Sequence, residues 1–174
     1  MPPRWARIGR TSSTEHGVDG EGSRAELPCM TKKGQMGKVI VQIKLTNYND
    51  VVVRDLGLGK RKPRALEVQA LVDTGATRLY LKPSVIKKLG LRRTDTVRSF
   101  TTNGEALRFK YSPVQLELMG RKENFDVIEA PESVPNLLGQ VPLEILDLVV
   151  DSKRQRLIRN PEHGGEQMSE EFCN

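Results

Sequence analysis

The sequence predicts an all-β domain with many short strands and two short helices. Three observations carry this. "KVIVQIKL" (38–45) and "ALEVQALVD" (65–73) alternate apolar and polar residues with the period of a half-buried strand. "VRSFTTNGEALRFKY" (97–111) holds an Asn-Gly pair between two alternating runs, which is the signal of a tight hairpin. Helical spacing is confined to two short segments, each opened by a proline.

The elements follow in order. In the first strand Val39, Val41, Ile43 and Leu45 share one face. "TNYND" (46–50) reads as a turn, and Val51–Val53 as the start of a second short strand. A glycine-rich basic loop comes next. Leu66, Val68, Ala70 and Val72 then share a strand face, and "RLYL" (78–81) is a short apolar run. "KPSVIKKLG" (82–90) predicts a helix, with Pro83 in the first turn, Val85, Ile86 and Leu89 on one side and Gly90 as the stop. A two-residue turn at Asn103-Gly104 would pair Thr102 with Glu105, Thr101 with Ala106 and Phe100 with Leu107. "VQLEL" (114–118) and "NFDVI" (124–128) predict strands around the turn "MGRKE" (119–123). "NLLGQVPLEIL" (136–146) places an apolar pair before Gly139 and a short helix from Pro142, and "LVVDSKRQRLI" (148–158) reads as a terminal hairpin. No internal repeat is present, and a closed or sandwich-like arrangement is favoured.

The 174 residues suit one domain, but the ends differ from the middle. Residues 1–35 are rich in Gly, Ser, Pro, Thr and charge without apolar period, and are expected to be a disordered or extended arm. Because "MGKVIVQIKL" starts abruptly with a strand pattern, Met30 and Met36 are candidate starts, and the arm is a candidate gene-model extension. Residues 36–160 form the expected domain, and 161–174 an expected disordered acidic tail. The early arginines lack a following apolar stretch, so no secretory signal is expected, and no segment is long and apolar enough for a membrane span.

The net charge of +6 is concentrated in the middle, since the tail from residue 161 holds four Glu and no Lys or Arg. "GKRKPRA" (59–65) is the densest basic run and reads first as a solvated loop. Aromatics are not interleaved with it, which argues against a single-stranded nucleic-acid platform. Cys29 and Cys173 lie one in each end segment, as do His16 and His163. No spacing resembles a metal site, no cofactor is expected, and a reducing cytoplasm is the default setting.

Asp73, within "ALVDTGAT" (70–77), is the candidate site. Asp is a poor strand residue and is costly to bury unpaired. Taken alone, Asp-Thr-Gly reads as a strand ending in an Asx-type turn. Its surroundings favour another reading. Leu71-Val72 precede it and Ala76-Thr77 follow; then come a helix-sized segment, a tight hairpin and "PNLLGQVPLE" (135–144). In this order and at these intervals, roughly residues 36–160 resemble the retropepsin-like aspartic proteases, in particular the single-domain prokaryotic type with one Asp-Thr-Gly per chain.

The resemblance implies a closed acid-protease barrel that works as a homodimer. Each protomer would contribute one Asp to a dyad on the two-fold axis, and the activity would be aspartic endopeptidase hydrolysis of an extended peptide. No second copy exists here: Asp50, Asp55, Asp95, Asp126, Asp147 and Asp151 all lack a following Thr-Gly or Ser-Gly, so a two-lobed form is excluded. By the resemblance Asp73 is the acid/base, Thr74 links the two active loops, and Gly75 brings its backbone N–H to the carboxylate. Ala76, Thr77 and Arg78 would bind substrate main chain, and the hairpin tip Thr101, Thr102, Asn103 and Gly104 would be a flap. That tip has one glycine where retroviral flaps have several. Two other readings stand beside this one: a catalytically weak dimeric peptide-binding or scaffold module of the same fold, and a basic nucleic-acid-binding β-barrel in which Asp73 is only a turn residue.

Overall fold

A computed structural model describes residues 38–101 and 104–168. The expected arm over 1–35, the last part of the expected tail (169–174) and the hairpin-tip residues Thr102 and Asn103 lie outside the described residues. The described chain is mostly β with a few short helices. Nine strands run β1 Val39–Asn47, β2 Ala65–Val72, β3 Leu79–Leu81, β4 Arg93–Thr101, β5 Gly104–Leu118, β6 Arg121–Glu129, β7 Leu137–Leu138, β8 Leu148–Asp151 and β9 Arg156–Arg159. The helices are α1 Tyr48–Asp55, α2 Pro83–Leu89 and α3 Gln140–Ile145. None is long and apolar enough to cross a membrane.

Seven strands form one sheet in the order β1-β2-β7-β3-β6-β5-β4, and β1 also pairs with β5, so the ladder returns to its first strand. β4 is left as an edge, while β8 and β9 form a separate hairpin. The alternation read in the sequence decides what the ladder encloses. Ile43 and Leu45 are fully buried while Gln42 and Lys44 between and beside them face water. Leu79, Leu81, Val114, Leu116, Val127 and Leu138 join them in the same core. Each such side chain contributes about 1.5–3 kcal/mol by leaving water.

Where a turn and a strand were expected over 46–53, the chain forms α1 instead, so there are three α-helices among the described residues rather than two. Asn47 explains the difference. Its side-chain oxygen accepts from the N–H of Asn49 at 3.0 Å and of Asp50 at 3.4 Å, capping the helix start. Its amide nitrogen donates to the carbonyls of Leu89 at 2.9 Å and Gly90 at 3.3 Å, where α2 ends. The side chain satisfies backbone donors at the start of α1 and backbone acceptors at the end of α2, and this outweighs the β preference of Val51–Val53. Gly90 itself stops α2 in a left-handed conformation, φ 63°, as its position suggested.

The β4–β5 hairpin is correctly located but its register differs by two residues. Phe100 faces Glu105, Ser99 faces Ala106 and Thr101 faces Gly104, so Gly104 opens β5 instead of sitting in the turn. A shift of two leaves every side chain on its expected face, because the strand period is two. At the next hairpin only Met119 and Gly120 form the turn, with φ 53° and 84°, and Arg121 already pairs with Leu118. Two successive positive φ values are the geometry of a type I′ turn.

Residues 161–168 are not featureless. Pro161–His163 make a 3-10 turn, and a buried polar cluster holds the segment to the domain. Arg121 donates to the carbonyls of Leu146 at 2.6 Å, Gly165 at 2.9 Å and Glu166 at 2.8 Å, and its guanidinium lies 3.4 Å from Asp147. Asp147 also meets His163 Nδ1 at 2.9 Å and accepts from the N–H of Met168 at 3.3 Å. Burial alone would raise the Asp147 carboxyl, but the hydrogen bonds from His163, Asn160 and Met168 outweigh it and hold it below the usual carboxylate range. A depressed folded-state value means that this cluster stabilises fully above the ordinary carboxylate range and is lost as pH falls through the lowered value. Arg121→Met should therefore lower the melting temperature by more than about 5 °C near neutral pH, because it strips several buried acceptors of their donor. It should also expose 164–168 to amide exchange. Unchanged melting and unchanged protection of that segment would show that the cluster does not hold it.

Candidate active site

Asp73 sits where β2 gives way to a loop, residues 73–78, that leads into β3. β7 lies between those two strands, parallel to β2 and antiparallel to β3. The loop therefore arches over the point where β7 turns into α3. Four backbone hydrogen bonds join them. Asp73 N–H donates to Leu138 O at 3.0 Å, Gly139 N–H to Arg78 O at 3.1 Å, Gln140 N–H to Ala76 O at 2.7 Å and Val141 N–H to Thr77 O at 3.1 Å. No side chain caps α3; the loop carbonyls take the donors that a helix start leaves open.

Gly139 makes this close approach possible. Its φ of −84° would suit any residue, so the requirement is steric. A Cβ there would stand closer than 3.0 Å to the carbonyl oxygens of Ala76 and Arg78 and to the amide nitrogen of Arg78. The "LLG" of the sequence is thus the cradle of the Asp-Thr-Gly loop, about 64 residues downstream of it.

Within the loop, the half-buried Asp73 accepts at Oδ1 from the N–H of Gly75 at 2.9 Å, and its main-chain carbonyl accepts from Ala76 N–H at 3.1 Å. Oδ2 has no hydrogen-bond partner among the described residues. A Cβ on Gly75 would lie 3.2 Å from Asp73 Oδ1, tight enough to press on the carboxylate. The carboxylate is thus oriented by one backbone donor, with its other oxygen available.

Asp73 lines a groove of about 750 Å³. Asp73, Gly75, Ala76, Thr77 and Arg78 line one side of it. Thr74 is exposed on the same loop but does not line the groove. The hairpin supplies the opposite side through Val97, Arg98, Ser99, Phe100 and Arg108, further from the tip than the sequence reading placed it. Gly104 is not among the lining residues, Thr101 is described in its backbone alone, and Thr102 and Asn103 lie outside the described residues. Tyr80, Ile128, Val134 and Leu137 complete the walls. Their part was not read from the sequence, although the strand alternation around Leu79 and Val127 could have marked Tyr80 and Ile128 as facing away from the buried leucine layer. No group of three or more His, Cys, Asp or Glu among the described residues could hold a metal ion.

Residues 57–141 match the family model described as aspartyl protease, a window that includes both the Asp73 loop and its Gly139 cradle. This match supports a retropepsin-like aspartyl protease family for the chain. Among solved structures, the EIAV protease in complex with the inhibitor HBY-793 is similar at 22% identity and a TM-score of 0.37, over 45% of this chain and 75% of that one. No curated protein matches the sequence.

Proposed function

We propose that the protein is an aspartic endopeptidase, a closed retropepsin-like barrel that becomes active as a homodimer. The observation that carries this reading is the Asp73 carboxylate. One oxygen is fixed by the Gly75 N–H, the other is available, and it is the one carboxylate among the described residues lining the groove. A single carboxylate cannot serve as both base and acid at the same moment. A second copy of the chain, related by a two-fold axis, supplies the missing one.

Two carboxylates brought within a few ångströms share one proton, a behaviour for which aspartic proteases are the standard example. The ionised Asp73 removes a proton from a water held between the pair. The protonated Asp73 of the other protomer donates to the scissile carbonyl oxygen, so charge on that oxygen is neutralised as the water attacks. The tetrahedral intermediate collapses when the nitrogen of the leaving amine takes a proton from the dyad. Thr74, exposed beside Asp73, reaches across the axis to tie the two loops together. Ala76, Thr77 and Arg78 hold the substrate main chain, and the β4–β5 hairpin, with its tip at Thr101–Gly104, closes over it and excludes water.

Digestion of a diverse peptide library tests the reading. The expected result is a set of internal cleavages that survive a metal chelator and are lost on dilution below the dimer's dissociation constant. A native dimer that leaves every peptide intact from acid to neutral pH would contradict it.

A further inference from the structure

The groove beside Asp73 is electrically lopsided. Three guanidinium groups line it, those of Arg78, Arg98 and Arg108, against the single carboxylate of Asp73. None of the three arginine side chains makes an ion pair or hydrogen bond among the described residues. Several cations elsewhere are matched: Lys44 and Lys122 with Glu117, Arg64 with Asp50, Lys110 with Asp126, Arg156 with Asp151. Within the groove, Asp73 is the single carboxylate among the described residues, set against three guanidinium groups.

The placement of the three arginines separates their roles. Arg108 lies directly across from Val97 and shares its strand face with Ala106 and Ser99, all partly buried toward the groove. Arg98 pairs with Leu107 on the outer face and reaches the groove at its rim. Arg78 closes the Asp73 loop from the other side. A guanidinium is planar, always charged and shaped to grip a carboxylate with two hydrogen bonds.

The remaining lining is apolar, with Val97, Ile128, Val134 and Leu137 among the walls. β4 is the edge strand of the sheet and contributes four successive residues, Val97 to Phe100, to the groove. Successive strand residues point to opposite faces, so four in a row line a groove when the strand's edge borders it. An edge with open backbone groups accepts an extended peptide as an added strand.

From this, and resting on the protease reading of the same groove, we infer that the substrate is an extended peptide in which an apolar side chain is flanked by Asp or Glu. Arg108 and Arg78 are the specificity-determining residues, and Arg98 adds to the field at the rim. The apolar walls take the uncharged side chain, and the flanking carboxylate pairs with a guanidinium.

The test uses the full chain carrying Asp73→Asn, so that a bound peptide persists. Labelled peptides of one length with a common apolar centre, flanked by Glu, Gln or Lys, are followed by fluorescence anisotropy at low and high salt. The Glu peptide should bind about tenfold tighter than the Gln peptide at low salt, and the gap should narrow as salt rises. Arg108→Gln and Arg78→Gln should each remove several-fold of that gap, read as the ratio of Glu-peptide to Gln-peptide affinity in the same variant, while Arg108→Lys restores part of it. Equal affinity for Glu and Gln peptides, no binding of either, or displacement by a single-stranded oligonucleotide at lower concentration than the Glu peptide would overturn the inference. The same peptides incubated with the wild-type chain separate the two ideas. Selective binding of Glu peptides without cleavage would sink the protease reading and keep this one, and cleavage without a Glu preference would do the reverse.

Discussion

Gly139→Ala should destabilise the fold by about 3–5 kcal/mol and remove the groove's working geometry with it. The added methyl meets main-chain atoms of Ala76 and Arg78, not the flexible end of a side chain. Backbone cannot rotate aside, so the loop and the start of α3 must separate. Three hydrogen bonds cross that contact, from Gly139, Gln140 and Val141 to the carbonyls of Arg78, Ala76 and Thr77. Each contributes about 1 kcal/mol net, and an orphaned buried member costs more. Urea unfolding of the variant beside wild type measures the loss. A change smaller than about 0.5 kcal/mol, the size of an ordinary surface substitution, would mean that the cradle is not as tight as described.

Asp73→Asn should reduce peptide hydrolysis by about a thousandfold or more while leaving the unfolding curve and the dimer unchanged. The geometry says why these effects separate. An asparagine oxygen can still accept from the Gly75 N–H, so the turn that shapes the loop survives. The other atom becomes an amide that cannot remove a proton from water. A variant that unfolds with wild-type cooperativity and hydrolyses nothing is the expected outcome. Undiminished cleavage by a purified variant would remove Asp73 from the chemistry.

Much of this was legible in the sequence because its signals were local. The alternation of β1 reported which of Ile43 and Gln42 would be buried, and Gly90 marked the end of α2. The Asp-Thr-Gly loop and the "LLG" were visible as separate strings. Their mutual contact was not, since it depends on β7 inserting between β2 and β3. α1 was missed because Asn47 spends its side chain on two jobs, one of them a bond to the far end of α2. Three valines in a row speak for a strand until that cap is known. The hairpin register was open by two residues for a different reason: either pairing buries the same faces, so the hydrophobic pattern cannot choose.

The partner of Arg108 was open for the same reason, Val97 in the structure and Ser99 in the expected register, while its strand face was not. The cluster of Arg121, Asp147 and His163 escaped because charged residues in a turn, a connection and a polar tail each read as solvated. Only the contact of the Arg121 side chain with the turn after α3 shows that Arg121 and Asp147 are buried together, with His163 at their edge.

The central claim is that one chain carries half of the active site. Refolding wild-type chain with increasing proportions of Asp73→Asn chain, at constant total concentration, tests it directly. If each working site needs an intact Asp73 from both protomers, peptide hydrolysis should fall with the square of the wild-type fraction, because mixed dimers are inert. Activity that falls in simple proportion to the wild-type fraction would show that a single chain holds a complete site, and the shared dyad would be wrong.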